Sequence, residues 1–203
     1  GSCSAPGSPV SQPAEEPIVF GSSVEALRNA LAKQLTPALR QELLQVGLDF
    51  DKVLPAYPMD QWVDALRIVA RHLAPQLPEH DQYVHLGRQF MQGFVATAVG
   101  KAALAISRVI GPRRTLLRMG RNFKQATNYI ETHTTEVGER ELHLRIYTHE
   151  RFLEKTRDRS TLVTDYRRGV LLAVMEFIRV EGTVDITDVH PERQDVTFRL
   201  RWR

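Results

Sequence analysis

Apolar residues recur every three or four positions from residue 24 to about residue 126, the spacing that places them on one face of an α-helix. Capping residues, prolines and glycines divide this half of the chain into separate segments, with residues 49–58 as a proline-bearing linker. The fourth segment is the longest and covers residues 78–110. The pattern therefore predicts five helices, which begin at Ser22 or Ser23, at Thr36-Pro37, at Asp60, at Pro78 and at Arg113.

The period of the pattern changes after residue 128. Apolar and polar residues then alternate in residues 129–137, 141–148, 183–189 and 195–202, which is typical of half-buried strands. Turn residues separate the members of each pair, so these segments predict two hairpins, and helical spacing returns between them at residues 160–180. The predicted order is about five helices followed by a ββαββ unit. This order predicts an α+β fold in which a helical layer covers a four-stranded antiparallel sheet.

The long fourth helix carries a stripe of small residues on one face: Gly93, Ala96, Gly100, Ala103 and Ser107. Small side chains let another backbone approach closely or leave room for a ligand, and both interpretations stay open. The large apolar residues beside the stripe are expected to fill the core: Phe90, Phe94, Val95, Val99 and Ile106. Because polar residues interrupt residues 90–110, we interpret this stretch as a buried core helix and not as a membrane span.

Charge is distributed unevenly along the chain. Residues 82–130 contain eight Lys or Arg residues and no Asp or Glu, whereas the formal net charge of the whole chain is only +3. Within this block Arg114, Arg118 and Arg121 share one face of the fifth helix, and Arg113 borders them. Their guanidinium groups could bind an anion, such as a nucleotide second messenger, or an acidic partner. The alternative is a solvated basic face, or pairing with acids such as Asp165 or Glu176. Duplex DNA is not predicted, because no helix-turn-helix or basic-zipper pattern surrounds the cluster.

Composition is that of an ordinary globular protein: 203 residues, 42% hydrophobic and 25% charged. Residues 1–17 are rich in Ser, Pro, Gly and Ala and are predicted to be a disordered leader, followed by a single domain over residues 18–203. The one cysteine, Cys3, lies in that leader, so no internal disulfide is expected. We predict a cytoplasmic protein, since no secretion signal is visible; the alternative is a lipoprotein tethered through Cys3.

Motifs for catalysis and metal binding are missing from the sequence. There is no Gly-x-Ser-x-Gly, Walker, Rossmann or His-Glu-x-x-His motif, and the seven histidines are scattered without a set of ligands at metal-binding spacing. The sequence therefore predicts a protein that is not an enzyme, with no catalytic residue, metal or cofactor.

Short stretches in one order carry a resemblance to a known family: residues 17–27 (PIVFGSSVEAL), 46–50 (VGLDF), 56–58 (AYP), 86–90 (LGRQF), 111–118 (GPRRTLLR), 122–123 and 128–129, with Trp62 and Trp202. On these residues the chain resembles an uncharacterised paralogous family, a domain of unknown function expanded in myxobacteria. The resemblance covers everything after the leader. It implies no activity, because none is established for that family.

The predicted layout is similar, more distantly, to vinyl-reductase-type ligand-sensing domains, trafficking-complex subunits and haem nitric-oxide-binding domains. This similarity implies small-molecule sensing or dimeric scaffolding around a hydrophobic cavity. The chain lacks the Tyr-x-Ser-x-Arg haem-propionate motif, which argues against a haem sensor. A similar order of helices and strands does not by itself establish a shared function.

Together these features predict a non-enzymatic sensing or adaptor domain, a homodimer, with a pocket for a small hydrophobic or anionic ligand. The predicted pocket residues come from the long helix, the fifth helix and the last helix: Phe90, Gly93, Phe94, Gly100, Phe123, Tyr166 and Gly169. The alternative is a protein-interaction or nucleotide-messenger-binding module that uses the basic face: Arg113, Arg114, Arg118 and Arg121.

Overall fold

Most helices precede the four long strands in the computed structural model, which describes residues 15–157 and 163–203. The helical part consists of α1 Gly21–Leu31, α2 Pro37–Gln45, α3 Met59–Leu73, α4 Glu79–Val95, α5 Ala98–Ile110 and α6 Pro112–Ala126. The second part consists of β3 Ile130–Gly138, β4 Glu141–Thr148, the short helix α7 Leu153–Thr156, α8 Thr164–Phe177, β5 Gly182–His190 and β6 Asp195–Trp202. The predicted α+β fold with a ββαββ unit is confirmed.

The four-stranded sheet is antiparallel throughout, with the strand order β3-β4-β6-β5. Leu144 of β4 lies opposite Phe198 of β6, and Leu142 lies opposite Leu200. Because successive side chains of a strand point to opposite faces, these four buried residues line one face of the sheet. That face forms the sheet side of the core.

The long helix predicted for residues 78–110 is wrong as a single helix. The chain bends by 91° between α4 and α5. Thr97 fixes the bend, because its hydroxyl accepts a hydrogen bond from the Gly100 N–H at 3.0 Å and donates one to the Phe94 carbonyl at 2.6 Å. Thr97 is thus the N-cap of α5. No single described helix is long and apolar enough to cross a membrane; α4 and α5 would pass only as a bent pair, by length and composition.

One strand of a small second sheet lies in the segment predicted to be a linker, residues 49–58. Strands β1 Ile18–Phe20 and β2 Ala56–Pro58 pair antiparallel, with Val19 opposite Tyr57. Tyr57 is buried and its hydroxyl accepts a hydrogen bond from the Leu54 N–H at 2.8 Å. This pairing joins the first described residues to the segment immediately before α3.

Residues 15–17, predicted to be the end of the disordered leader, contact the folded part. The Pro17 carbonyl accepts a hydrogen bond from the Met59 N–H, and Lys155 lies 2.8 Å from the Glu16 carboxylate. Residues 1–14, including Cys3, and residues 160–162 at the start of the last predicted helix lie outside the described residues.

Candidate functional site

The glycines predicted to line a pocket lie where helix backbones meet. A methyl group at Gly93 would collide with the Ala26 carbonyl of α1, and one at Gly169 would collide with the Val84 carbonyl of α4. Gly87 faces Gly169 in the same crossing, where a methyl group would meet the Tyr166 carbonyl. Absence of a side chain at these positions allows α4 to pack directly against α1 and α8. Close helix packing, one of the two interpretations of the stripe, therefore describes Gly93, and the predicted pocket residue Gly169 is packed in the same way.

The remaining predicted pocket residues fall into two groups. Phe90 packs edge-on against Tyr166, with ring centroids 5.6 Å apart, and against Trp62 at 6.2 Å. Gly100 lies against the Phe94 carbonyl at the α4–α5 bend. Phe94 and Phe123 are only partly buried against the core. The structure thus brings Phe90 and Tyr166 together but separates them from Gly100 by the bend, and ligand binding by this set stays a prediction.

Helix α5 is apolar yet mostly exposed. Only Gly100 and Ser107 of its 13 residues are buried. Val99, Ile106 and Val109 are 68%, 50% and 86% exposed. The expectation that Val99 and Ile106 fill the core is therefore wrong. Because hydrophobicity alone cannot distinguish an inward from an outward face, the sequence pattern missed this surface.

The outward apolar residues of α5 form a regular seam. Val99, Ala102, Ile106 and Val109 are all exposed and are spaced three, four and three residues apart. This spacing places them on one stripe of the helix, opposite Gly100 and Ser107. Seams of this type pack against another helix in helical bundles and coiled coils.

Most basic residues of α5 and α6 lack acidic partners among the residues that the structure describes. Within residues 82–130, three cations have a carboxylate partner: Arg88 with Glu176 at 3.0 Å, Arg113 with Glu136 at 2.6 Å, and Lys124 with Glu131 at 2.8 Å. The other five have no ion pair among the residues that the structure describes: Lys101, Arg108, Arg114, Arg118 and Arg121. All five are exposed.

We call these five cations together with the seam (Val99, Ala102, Ile106 and Val109) the α5–α6 surface. Of the four arginines predicted to bind an anion or partner, Arg114, Arg118 and Arg121 belong to it. Arg113 differs, because its charge is already paired with Glu136. Glu176, suggested as a partner for the arginine face, binds Arg88 instead.

Two clefts lie elsewhere on the molecule. One is open, has a volume of about 400 Å³, and is lined by Pro112, Arg113, Glu139, Arg140, Val180, Trp202 and Arg203. The other lies at the start of α8 and has room for only about 10 Å³ beside Arg167. No group of three or more His, Cys, Asp or Glu side chains suited to a metal ion occurs in residues 15–157 and 163–203.

Comparison with known families and structures adds two findings. The sequence profile of the family described as protein of unknown function (DUF2378) matches residues 17–203. The chain belongs to this family. The predicted membership in a family of unknown function is confirmed, and the match says nothing of its expansion in myxobacteria. No curated protein matches the chain.

Solved structures with the same fold include H-NOX domains. A mutant of the T. tengcongensis H-NOX is 12% identical, with a TM-score of 0.63 over 89% of this chain and 95% of that one. An oxygen-binding H-NOX domain related to soluble guanylate cyclases, solved as the oxygen complex, is 14% identical, with a TM-score of 0.63 over 90% and 92%. Another similar structure, whose subject is the modulation of haem redox potential through protein-induced porphyrin distortion, is 14% identical, with a TM-score of 0.65 over 90% of this chain and 99% of that one. The predicted layout is confirmed.

The residues of this chain do not fit a haem. In the layer between α4 and α8, paired glycines bring the backbones into contact and the rings of Phe90 and Tyr166 fill the neighbouring space. Haem iron in proteins takes an axial ligand such as histidine. All seven histidines fall within the described ranges, and none of them is buried. The chain therefore shares the fold of H-NOX domains, but its histidines offer no buried axial ligand for a haem iron.

Proposed function

We propose that this domain is a non-enzymatic adaptor whose α5–α6 surface binds an acidic, amphipathic helix of a partner protein. The observation that carries the proposal is the exposure of the apolar seam on α5, where Val99 and Val109 are 68% and 86% exposed. An apolar face left in water costs free energy that a partner recovers by covering it.

Charge complementarity identifies the kind of partner. Five cations without ion pairs among the described residues belong to the surface, so a partner rich in Glu or Asp would gain contacts without breaking existing pairs. A second copy of this chain, docked through the same surface, would bring like charges together, which disfavours a dimer there. The homodimer predicted from the sequence would need another surface.

Side-chain types favour a protein over a membrane. Helices that lie in the membrane interface use Trp, Phe and Leu on their apolar face. The seam of α5 contains only Val, Ala and Ile, at a spacing suited to packing against another helix. An acidic helix with apolar residues three and four apart therefore matches this surface better than a bilayer does.

The test uses a synthetic helical peptide with leucine at the a and d positions and glutamate at e and g. Binding is measured by fluorescence anisotropy, with a second peptide in which lysine replaces glutamate. We expect the glutamate peptide to bind and the lysine peptide to fail. Binding should weaken with salt, because the arginine–glutamate contacts are solvent-exposed.

Two variants locate the binding. Replacing Val99 and Val109 with serine should weaken peptide binding at least about tenfold, a loss of about 1.4 kcal/mol. Leu44→Ser is the matched control, since Leu44 is 43% exposed on α2, away from the surface. Equal affinity of the two peptides, or an equal loss in the control, would refute the proposal. So would binding to anionic vesicles without binding to the peptide, or a concentration-dependent dimer that the valine variant abolishes.

Small-molecule sensing is the second candidate. It is favoured by the fold shared with an oxygen-binding H-NOX domain. A ligand would lie beside the partly buried Phe94 and Phe123, beneath an α5 that displaces outward. Native mass spectrometry should then show a co-purified small molecule, or a lipophilic dye should bind and be displaced by metabolite extracts. Absence of both signals would reject this candidate and leave the adaptor proposal standing.

A further inference from the structure

Arg167 is a buried cation without a described partner. It lies in the first turn of α8 and is only 8% exposed. Among residues 15–157 and 163–203, no side chain or carbonyl makes a hydrogen bond or ion pair with its guanidinium. Burial lowers the pKa of Arg167, and the nearby Tyr129 and Tyr166 oppose this only in part. A guanidinium held in this way has unused hydrogen-bond donors and a large desolvation cost.

The guanidinium opens onto a small cleft between the start of α8 and the β5–β6 turn. The lining residues are Thr164, Arg167, Val189, His190, Pro191, Gln194, Asp195 and Val196. The free volume of about 10 Å³ is sufficient for one water-sized atom. One oxygen of a larger anionic group fits this space, while the rest of the molecule would remain outside.

Asp195, Gln194 and His190, which also line the cleft, are already bonded. Asp195 accepts three hydrogen bonds from Arg145, the shortest of 2.6 Å. The Gln194 carbonyl oxygen accepts from the Thr148 and Thr156 hydroxyls at 2.8 and 2.7 Å. His190 contacts the Asp188 carboxylate at 3.1 Å. Among the described residues, Arg167 is therefore the charged group of the cleft without a hydrogen bond or ion pair.

The N-terminal end of α8 also bears on anion binding at this cleft. It has 14 residues, begins at Thr164, and its N-cap residue Val163 provides no side-chain cap. The first N–H groups of a helix and the positive end of its dipole attract anions. The first turn also carries the acidic Asp165, so Arg167, which has no partner among residues 15–157 and 163–203, is the main feature that favours an anion here.

We propose that Arg167 and the first turn of α8 form a binding site for the carboxylate or phosphate group of a small anionic metabolite. The anionic group places one oxygen in the cleft, where Arg167 binds it through charge-assisted hydrogen bonds. This site is separate from the α5–α6 surface and does not depend on the adaptor proposal.

The test follows the wild-type protein by NMR during titration with sodium phosphate and, separately, sodium acetate, at an ionic strength held constant with sodium chloride. We expect saturable shifts of the Arg167 Nε–H and of the backbone amides of Thr164 to Arg167. A larger response to phosphate or to acetate identifies which group the site takes. Absence of any saturable shift at Arg167 with both anions overturns the proposal.

A pair of variants separates a binding role from a structural one. Arg167→Met removes the buried charge and should abolish the rise in Tm that the anion causes, while leaving the anion-free Tm unchanged or higher. Arg193→Met is the control, because Arg193 is exposed beside the cleft, and it should keep the full response. The proposal fails if Arg167→Met keeps the anion response. The NMR titration of the wild type decides the question even if Arg167→Met does not fold.

Discussion

Arg113 donates two hydrogen bonds to the carboxylate of Glu136, from Nε at 3.1 Å and from Nη2 at 2.6 Å. This pair connects the start of α6 to strand β3. Both side chains are about half exposed, so the pair contributes little to stability. The pair neutralises the charge of Arg113. Arg114, Arg118 and Arg121 on the same helix have no acidic partner among the described residues.

Breaking this pair should therefore strengthen acidic-peptide binding. Glu136→Gln frees Arg113 and adds a sixth available cation beside the α5–α6 surface, so we expect affinity for the glutamate peptide to rise by about twofold to fivefold. Glu154→Gln is the matched control, because Glu154 pairs with Arg157 at 3.1 Å outside that surface. Fluorescence anisotropy measures both. An unchanged or lower affinity in Glu136→Gln would show that the arginines of α6 do not contact the peptide.

A methyl group at the α4–α8 crossing should destabilise the fold. Gly169→Ala forces the Val84 carbonyl to move, and overpacking of this kind costs about 1 to 3 kcal/mol. Gly138→Ala is the control, since a methyl group there meets no atom within 4 Å and the cost should be within about 0.5 kcal/mol. Urea denaturation gives both free energies of unfolding. If Gly169→Ala is as stable as the wild type, the two backbones do not touch as described.

The N-cap of α5 at Thr97 should contribute measurably to stability. Thr97→Ala removes the side-chain acceptor of the Gly100 N–H and should lower the free energy of unfolding by about 1 kcal/mol. Ser22→Ala should be neutral, because the sequence predicted a cap at Ser22 or Ser23 whereas α1 begins at Gly21 with no side-chain cap bond. Equal losses in the two variants, compared by thermal denaturation, would contradict this assignment.

These cases show which parts of the fold the sequence determines locally. The strands of the large sheet are eight or nine residues long, so alternation located them to within a residue or two. Strands β1 and β2 have three residues each, too few to show a period. The bend at Thr97 was missed because apolar residues continue with helical spacing on both sides of it.

The site was harder to predict than the fold, for a physical reason. The stripe of small residues identified a face of α4 at Gly93, but only the tertiary structure shows that α1 occupies it. The outward direction of Val99 depends on the bend, which the hydrophobic pattern does not reveal. Arg167 was missed because arginine is almost always exposed, and no local signal marks the few that are buried. By contrast, the basic face of Arg114, Arg118 and Arg121 followed from helical spacing alone.

Alkaline pH should destabilise the protein through Tyr129. Burial raises the pKa of Tyr129 to about 12, whereas an unfolded tyrosine has a pKa near 10. Between these values the unfolded chain releases the proton that the folded chain retains, so stability falls as pH rises, by roughly 1 kcal/mol at pH 11 from this group. Tyr129→Phe should flatten the fall in urea-unfolding free energy between pH 9 and about 11, whereas Tyr147→Phe, on a half-buried ring beneath Arg145, serves as the control. The same pH dependence in Tyr129→Phe and the wild type would mean that the Tyr129 hydroxyl is not buried in the folded protein.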